Sequence, residues 1–528
     1  MRELPSGLAR SIPKIQDTFS IPESPKLKEE RESRRGAVKD SFIRTWKGYK
    51  EYGWLRDEVR PVSKDAHDPF GGWAATLVDS LDTLWIMGLQ QEFEAAVKEV
   101  SRIEFGISTA EAISVFETNI RFLGGFLAAH DLSRDPILYQ KALEVGDMLY
   151  AAFDTPNRIP VGMLNLKEAA EGFPRDPGES KGIADVGSLS LEFTRLSQLS
   201  GDPKYFDAIQ GITDQLVLHQ NDSKLPGMWP IKFDPRKLDF TVDATYSFGG
   251  SSDSFYEYLL KEYLLLGGLS EEYRTLYEAS IDAAKQHMFF RPLNMENLDV
   301  LISGTVRVKD EKIELEPVGQ HLGCFAGGML GMGARIFARD DIATARKLAL
   351  GCVWAYENTP TGIMPETFYS IPCTNDCEWS SEKWYEGVLV QTNLTENPTN
   401  IIEERRLQPG FTDITDYHYN LRPEAIESLF ILYRLTGDRS LPEKAWKMFQ
   451  AIEKYTRTEI AYSTIEDVTV LDTKSVDRME SFWTAETLKY FYLIFSEPNL
   501  ISLDEYVFNT EAHPLKRPKA DETLGQER

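Results

Sequence analysis

Apolar, helix-patterned segments of this chain repeatedly stop at a short polar turn: Ser133-Arg134-Asp135, Ser200-Gly201-Asp202, Leu266-Gly267-Gly268 and Thr436-Gly437-Asp438. Glycine just past an amphipathic run takes the left-handed conformation that ends a helix, so such turns mark helix ends. The first three are separated by roughly 66 residues, room for several helices per unit, and such a period points to stacked helical hairpins. Hairpins of this kind stack as an open solenoid or close into an alpha-alpha barrel, and periodicity does not separate the two. Helical patterning begins near Val38. Residues 1–36 are rich in Pro, Ser, Lys, Glu and Arg and end in a charge cluster, so a disordered lead is expected there. The stretch from Asn358 to Asn420, rich in Pro, Thr and Asn, reads as a long excursion between helices.

Composition narrows the partners. With 83 acidic against 58 basic residues, the formal net charge is −25, which disfavours nucleic acid and anionic membranes because phosphate binding needs a basic surface. A neutral carbohydrate and a hard cation remain compatible with it. The 28 Phe, 22 Tyr and 10 Trp supply ample core, and aromatic faces not used there stack well on sugar rings. Cys324, Cys352, Cys373 and Cys377 lack the spacing of a structural zinc site; as free thiols or in any of three disulfide pairings they are all admissible. No apolar leader or membrane-length stretch is visible, and Asn221-Asp222-Ser223 and Asn393-Leu394-Thr395 are glycosylation sequons.

Chemistry concentrates in carboxylates set inside apolar segments, where an unpaired charge is costly. In Arg422-Pro423-Glu424-Ala425-Ile426-Glu427-Ser428, proline suits a first helical position and Glu424 and Glu427 then lie one turn apart on one face. Acidic residues three apart also fit a solvated helix face. The pattern recurs, however, at Asp79 to Trp85, Phe116 to Arg121, Ser252 to Tyr258 and Met479 to Glu486, which points to a shared polar pocket. Arg121, four residues after Glu117, places a guanidinium beside a carboxyl on one helix face.

These motifs carry a family resemblance. DSLDTLWIMGL from Asp79, FETNIRFLGG from Phe116, GGSSDSFYEYLLK from Gly249, HLGCFAGG from His321, LRPEAIESLF from Leu421, ESFWTAETLKY from Glu480 and FNTEAHPL from Phe508 stand in the order found in class I alpha-1,2-mannosidases, glycoside hydrolase family 47. The chain resembles that family, in its Golgi or fungal type, from about Val38 to Leu515.

The resemblance implies an all-α fold, an (α/α)7 barrel closed at one end by a C-terminal β-hairpin plug, with residues 37–515 catalytic and 516–528 a flexible tail. It implies inverting, Ca2+-dependent hydrolysis of terminal alpha-1,2-linked mannose on high-mannose N-glycans, from nine mannoses towards five. Glu424 is the implied base, Glu117 the acid, directly or through a water, and Asp253 a third essential carboxylate. Arg121, His321, Arg422, Phe482 and Glu486 are expected at the substrate. Thr510 is expected to bind calcium directly through its carbonyl and hydroxyl, while Glu427, Glu486 and Glu511 orient metal-bound waters. The resemblance also pairs Cys324 with Cys352 and leaves Cys373 and Cys377 to close a small loop. Ser251 stands where relatives confined to removing one mannose carry arginine, so successive trimming is expected. A monomer in the secretory lumen or secreted is expected, without a membrane span. The runner-up is a glycan-reading quality-control module on the same barrel; the short tail after Leu515 favours the free-standing enzyme.

Overall fold

Among the residues described by the computed structural model, 1–373, 377–395, 397–520 and 522–524, fourteen helices form seven inner–outer pairs in two concentric layers. The inner layer consists of Leu81–Ile86, Gly124–Ser133, Ser190–Ser200, Asp253–Leu265, Ala326–Ile336, Glu424–Thr436 and Leu488–Ile494. Each packs on its sequence neighbour in that layer, and the π-helical turn Trp483–Thr487, which leads into the last, returns to Leu81–Ile86 and closes the ring. Outside lie Gln90–Val100, Pro136–Tyr150, Lys204–His219, Glu271–His287, Ile342–Glu357 and Ser440–Thr456, each against the inner helix before it. The first outer helix, Pro25–Tyr52, packs instead on the last inner one, Leu488–Ile494. This pairing of chain beginning with chain end makes the stack a closed (α/α)7 barrel rather than a solenoid.

The layers differ as their surroundings require. Ser440–Thr456 buries Leu441, Ala445, Met448, Phe449 and Ile452, one stripe at helical spacing. Asp253–Leu265 is buried at every position from Ser254 onward, so its polar residues must find partners inside the protein. The four sequence turns are all inner-to-outer connections, with left-handed Arg134, Gly201, Gly267 and Gly437 at the helix ends.

The barrel axis is plugged by the hairpin Tyr506–Phe508 and Pro514–Lys516. Its tip reaches the inner wall because Gly124 has no Cβ: a methyl there would collide with the Asn509 amide and crowd the His513 ring. Asn509 Nδ2 donates to the Ile120 carbonyl at 2.9 Å and to Glu192 at 2.8 Å, fixing the tip.

The lead and tail depart from expectation. Helix Pro25–Tyr52 begins inside the segment read as disordered, with Ser24 capping Leu27 N–H at 3.3 Å. Gly7–Leu8 pairs with Thr523–Leu524, Ile15 is fully buried, and Gln16 accepts from buried Arg434 at 3.1 Å. A few well-placed apolar and hydrogen-bonding residues suffice to seat a polar segment on an existing barrel, which composition does not register. The excursion is likewise structured: Thr367–Ser370 and Phe411–Asp416 join Val318–Gln320 in a sheet, beside helices Ser381–Thr392 and Pro398–Arg405. Cys324 is bonded to Cys352, and Cys373 to Cys377. No helix among the described residues is long and apolar enough to cross a membrane.

Candidate active site

Since the first six inner helices are each followed by a short turn to an antiparallel outer partner, these six run the same way, and their N-terminal ends share one mouth of the barrel. The motif carboxylates lie at those ends. Glu424 and Asp253 are the first residues of their helices, with Pro423 one position earlier than the first helical turn. Glu117 follows the Ser114 cap and directly precedes the π-helical turn Thr118–Leu123, which contains Arg121. A second π-helical turn, Trp483–Thr487, carries Glu486. Such turns widen the helix by one residue and often re-aim side chains at functional sites.

Every acid here has a defined partner or repeller. Arg121 Nε donates to Glu117 Oε2 at 2.8 Å, while its Nη1 lies 3.1 Å from Glu511 and 3.5 Å from Asp79. Burial works against the guanidinium's charge, yet Glu511, Glu117 and Asp79 outweigh it and raise its pKa well above the ordinary value. Arg422 Nε donates to Glu366 Oε2 at 2.5 Å, and Glu366 with Glu424 holds it charged against the same cost of burial. Both guanidinium groups stand 5.9 Å from the centroid of the Phe482 ring. Glu424 Oε2 is 2.8 Å from His321 Nδ1.

Asp253 is pushed up to about 7, first by burial and then by the charges of Glu424 and Glu257, against a bond from Ser254 N–H and the pull of Arg422. It therefore keeps its proton in mildly acidic solution. Stability from this proton is fully present below 3.8 and is lost as pH rises through about 7. The rate should fall over the same upper limb, and Asp253→Asn, which cannot ionise, should lose that limb from its lower residual activity. A pH profile of kcat/KM checks this; an unchanged alkaline limb in the variant would contradict it.

Deeper in the barrel, Glu427, Glu486 and Glu511 are almost completely buried. Burial raises the pKa of Glu427 and Glu486 well above the carboxylate range, and repulsion from Glu257 and Glu511, respectively, adds to it. Glu511 is raised to about 8 by burial, with Arg121 opposing and Asp79 reinforcing. Its Oε2 has no hydrogen-bond partner in the protein. Thr510, half-buried at the plug tip, adjoins Glu511. Among the described residues no group of three His, Cys, Asp or Glu converges as a direct metal cage. Crowded buried acids, an orphaned carboxylate oxygen and a threonine tip fit a hard cation held chiefly through water.

The profile of Glycosyl hydrolase family 47 matches residues 41–517. The chain belongs to that family. As a family 47 member it is a glycoside hydrolase. It is 36% identical over 528 residues to mannosyl-oligosaccharide 1,2-alpha-mannosidase MNS1 of Arabidopsis thaliana, covering 98% of this chain and 83% of that one. To the human endoplasmic reticulum mannosyl-oligosaccharide 1,2-alpha-mannosidase it is 35% identical, covering 91% of this chain but 64% of the human protein. The solved alpha-1,2-mannosidase from Trichoderma reesei superposes with a TM-score of 0.81 at 31% identity, covering 92% of this chain and 99% of that one.

Within this family 47 barrel, His321 corrects one expectation. Expected as a substrate contact, it has no exposed surface, and its Nε2 is 2.7 Å from Tyr356 OH while Nδ1 faces Glu424. It holds Glu424 in place. Tyr356 lies on an outer helix and Glu366 on the approach to a strand, so no local pattern ties either to the site. Glu257 and Lys261, one turn apart in a buried helix, stand out in the sequence as charges in an apolar run; they form an ion pair beside Glu427. Ser251 is exposed at the mouth with φ 72°, and its carbonyl accepts from Ala184 N–H at 3.0 Å.

Proposed function

We propose that this glycosidase removes terminal alpha-1,2-linked mannose from high-mannose N-glycans by inversion, with Glu424 as base and Glu117 as acid. The reading is carried by one observation: Glu117, Asp253 and Glu424 stand at the same mouth of a family 47 barrel, each at an inner-helix N-terminal end, with Arg121, Arg422 and Phe482 among them. The names of the relatives supply the substrate class. Glu424, steadied by His321, takes a proton from water as its oxygen bonds to the anomeric carbon. Glu117, set by Arg121, gives its proton to the departing sugar oxygen as the old bond breaks. Asp253, which keeps its proton in mildly acidic solution, assists on the acid side. Phe482 offers a floor for the ring, and Arg121, Arg422 and Glu486 surround it.

Thr510 would hold calcium directly, with Glu427, Glu486 and Glu511 orienting its waters. Bound there, the ion supplies a clamp on neighbouring hydroxyls of the terminal mannose that distorts its ring. Two disulfides support an oxidising compartment, in keeping with the endoplasmic reticulum in the human relative's name.

Proton NMR of the first product formed tests the stereochemistry. Inversion releases beta-mannose before it equilibrates; initial alpha-mannose would contradict the two roles. Branch choice is tested at Ser251. A short, uncharged side chain cannot make the bidentate contacts of arginine, so the subsite stays open to different branches in turn. A time course on the nine-mannose glycan should pass through successive intermediates towards five mannoses, and Ser251→Arg should shift it towards a stop at eight. A clean stop at one eight-mannose isomer in the unmodified protein would reject this.

A further inference from the structure

The plug hairpin carries a buried imidazole that the mechanism above leaves unused. His513 has no exposed surface. Its Nδ1 is 2.9 Å from Asp82 Oδ2 and its Nε2 3.3 Å from Asp79 Oδ1, so both ring nitrogens face carboxylates and both are donors. Asp82 also takes Lys489 Nζ at 2.8 Å, and that ammonium donates to the Ala512 carbonyl at 2.6 Å. On its far side, Asp79 accepts from Ser481 Oγ and lies 3.5 Å from Arg121 Nη1. Arg121 in turn holds Glu117 at 2.8 Å.

The signs therefore alternate along one run, Lys489, Asp82, His513, Asp79 and Arg121, and Arg121 carries the Glu117 carboxyl at its end. Five of the six side chains are almost wholly buried, and the sixth, Glu117, opens to the site. Buried ions are tolerated only with opposite charge beside them, so each member constrains the next. Asp79 sits between two cations, and its attraction is shared between them. Remove one and the aspartate is left with Arg121 and the Ser481 hydroxyl. Arg121 is then drawn towards Asp79 and away from Glu117. Glu511, 3.1 Å from the same Nη1, and the Phe70 ring, 4.6 Å from the guanidinium, limit that shift without replacing the missing charge.

We propose that His513 is a positioning residue: through Asp79 and Arg121 it fixes the Glu117 carboxyl that protonates the leaving oxygen. This rests on the reading of Glu117 as the acid. A structural role alone would lower the melting temperature or slow all substrates alike. Positioning of an acid affects only substrates that need protonation.

The test compares kcat/KM for an alpha-1,2-linked mannose disaccharide and for alpha-mannosyl fluoride, whose leaving group needs little help. His513→Gln should lose on the order of tenfold to a hundredfold on the disaccharide, the scale of a misplaced catalytic group, and far less on the fluoride. Glu117→Gln, measured in parallel, should show the same selectivity with a larger loss. Asp79→Asn, which keeps shape and removes the charge, carries the test should the histidine variant not fold, and should show the same selective loss. Equal losses on both substrates in His513→Gln or Asp79→Asn, beside a selective loss in Glu117→Gln, would overturn the positioning role and leave the acid reading intact. Equal losses in Glu117→Gln itself would overturn both.

Discussion

Glu424→Gln is expected to cut turnover by on the order of 10²- to 10⁴-fold, the usual contribution of a general base, while glycan affinity changes little. Glu424 is the first residue of its inner helix, its side chain is 13% exposed, and His321 Nδ1 stands 2.8 Å from Oε2. Glutamine keeps the volume and can still accept from that imidazole. What it cannot do is take a proton from water, so binding survives and chemistry stops. Single-turnover rates and calorimetric titration with a high-mannose glycan separate the two quantities. Near-normal turnover in this variant would remove Glu424 from the role of base. A parallel fall in affinity would show instead that the carboxylate mainly binds.

Removing calcium should abolish turnover and lower the melting temperature together, and restoring the ion should recover both. A ligand bound only by the folded state stabilises it by about 2.7 kcal/mol at a hundredfold excess over Kd. Spread over the unfolding entropy of a 528-residue chain, that is a shift of about 2–3 °C, small but measurable by calorimetry. The acids supply the reason for metal dependence. Glu427, Glu486 and Glu511 are buried at 4–6% exposure and repel one another, and Glu511 Oε2 is left without a partner. A dication held among them would offset that repulsion. Thr510→Ala should raise the calcium concentration needed for both effects by deleting the hydroxyl ligand. Full activity and an unchanged melting temperature in thoroughly chelated buffer would take the ion out of this account.

Much of the site is legible in the sequence because the chemistry requires acids where apolar residues are otherwise dictated. Glu117, Asp253, Glu424, Glu486 and Glu511 each interrupt an apolar segment, and the interruptions stand out against a helical period. The glycine turns are legible for the complementary reason: a left-handed helix end at Gly201, Gly267 or Gly437 is a local requirement that local sequence must meet. Closure of the ring is not local. It depends on Pro25–Tyr52 meeting Leu488–Ile494, more than four hundred residues apart, and a hydrophobic stripe does not say which other stripe it covers. The partners of the proposed catalytic groups are hidden in the same way. Glu366 bears on Arg422 only after the excursion folds back, Tyr356 reaches Glu424 only through His321, and His321 in an apolar run gives no sign of whether it faces substrate or supports the proposed base. The π-helical turns at Thr118–Leu123 and Trp483–Thr487 likewise reflect how the inner helices are packed.

The central claim is hydrolysis of an alpha-1,2-mannosidic bond by a calcium-bearing barrel, and incubation with an alpha-1,2-linked mannose disaccharide, with and without chelator, tests it most directly. The account predicts release of free mannose in calcium, none after chelation, and recovery when calcium is returned. Binding of the disaccharide without cleavage in calcium would contradict it and favour a glycan-reading module on the same fold.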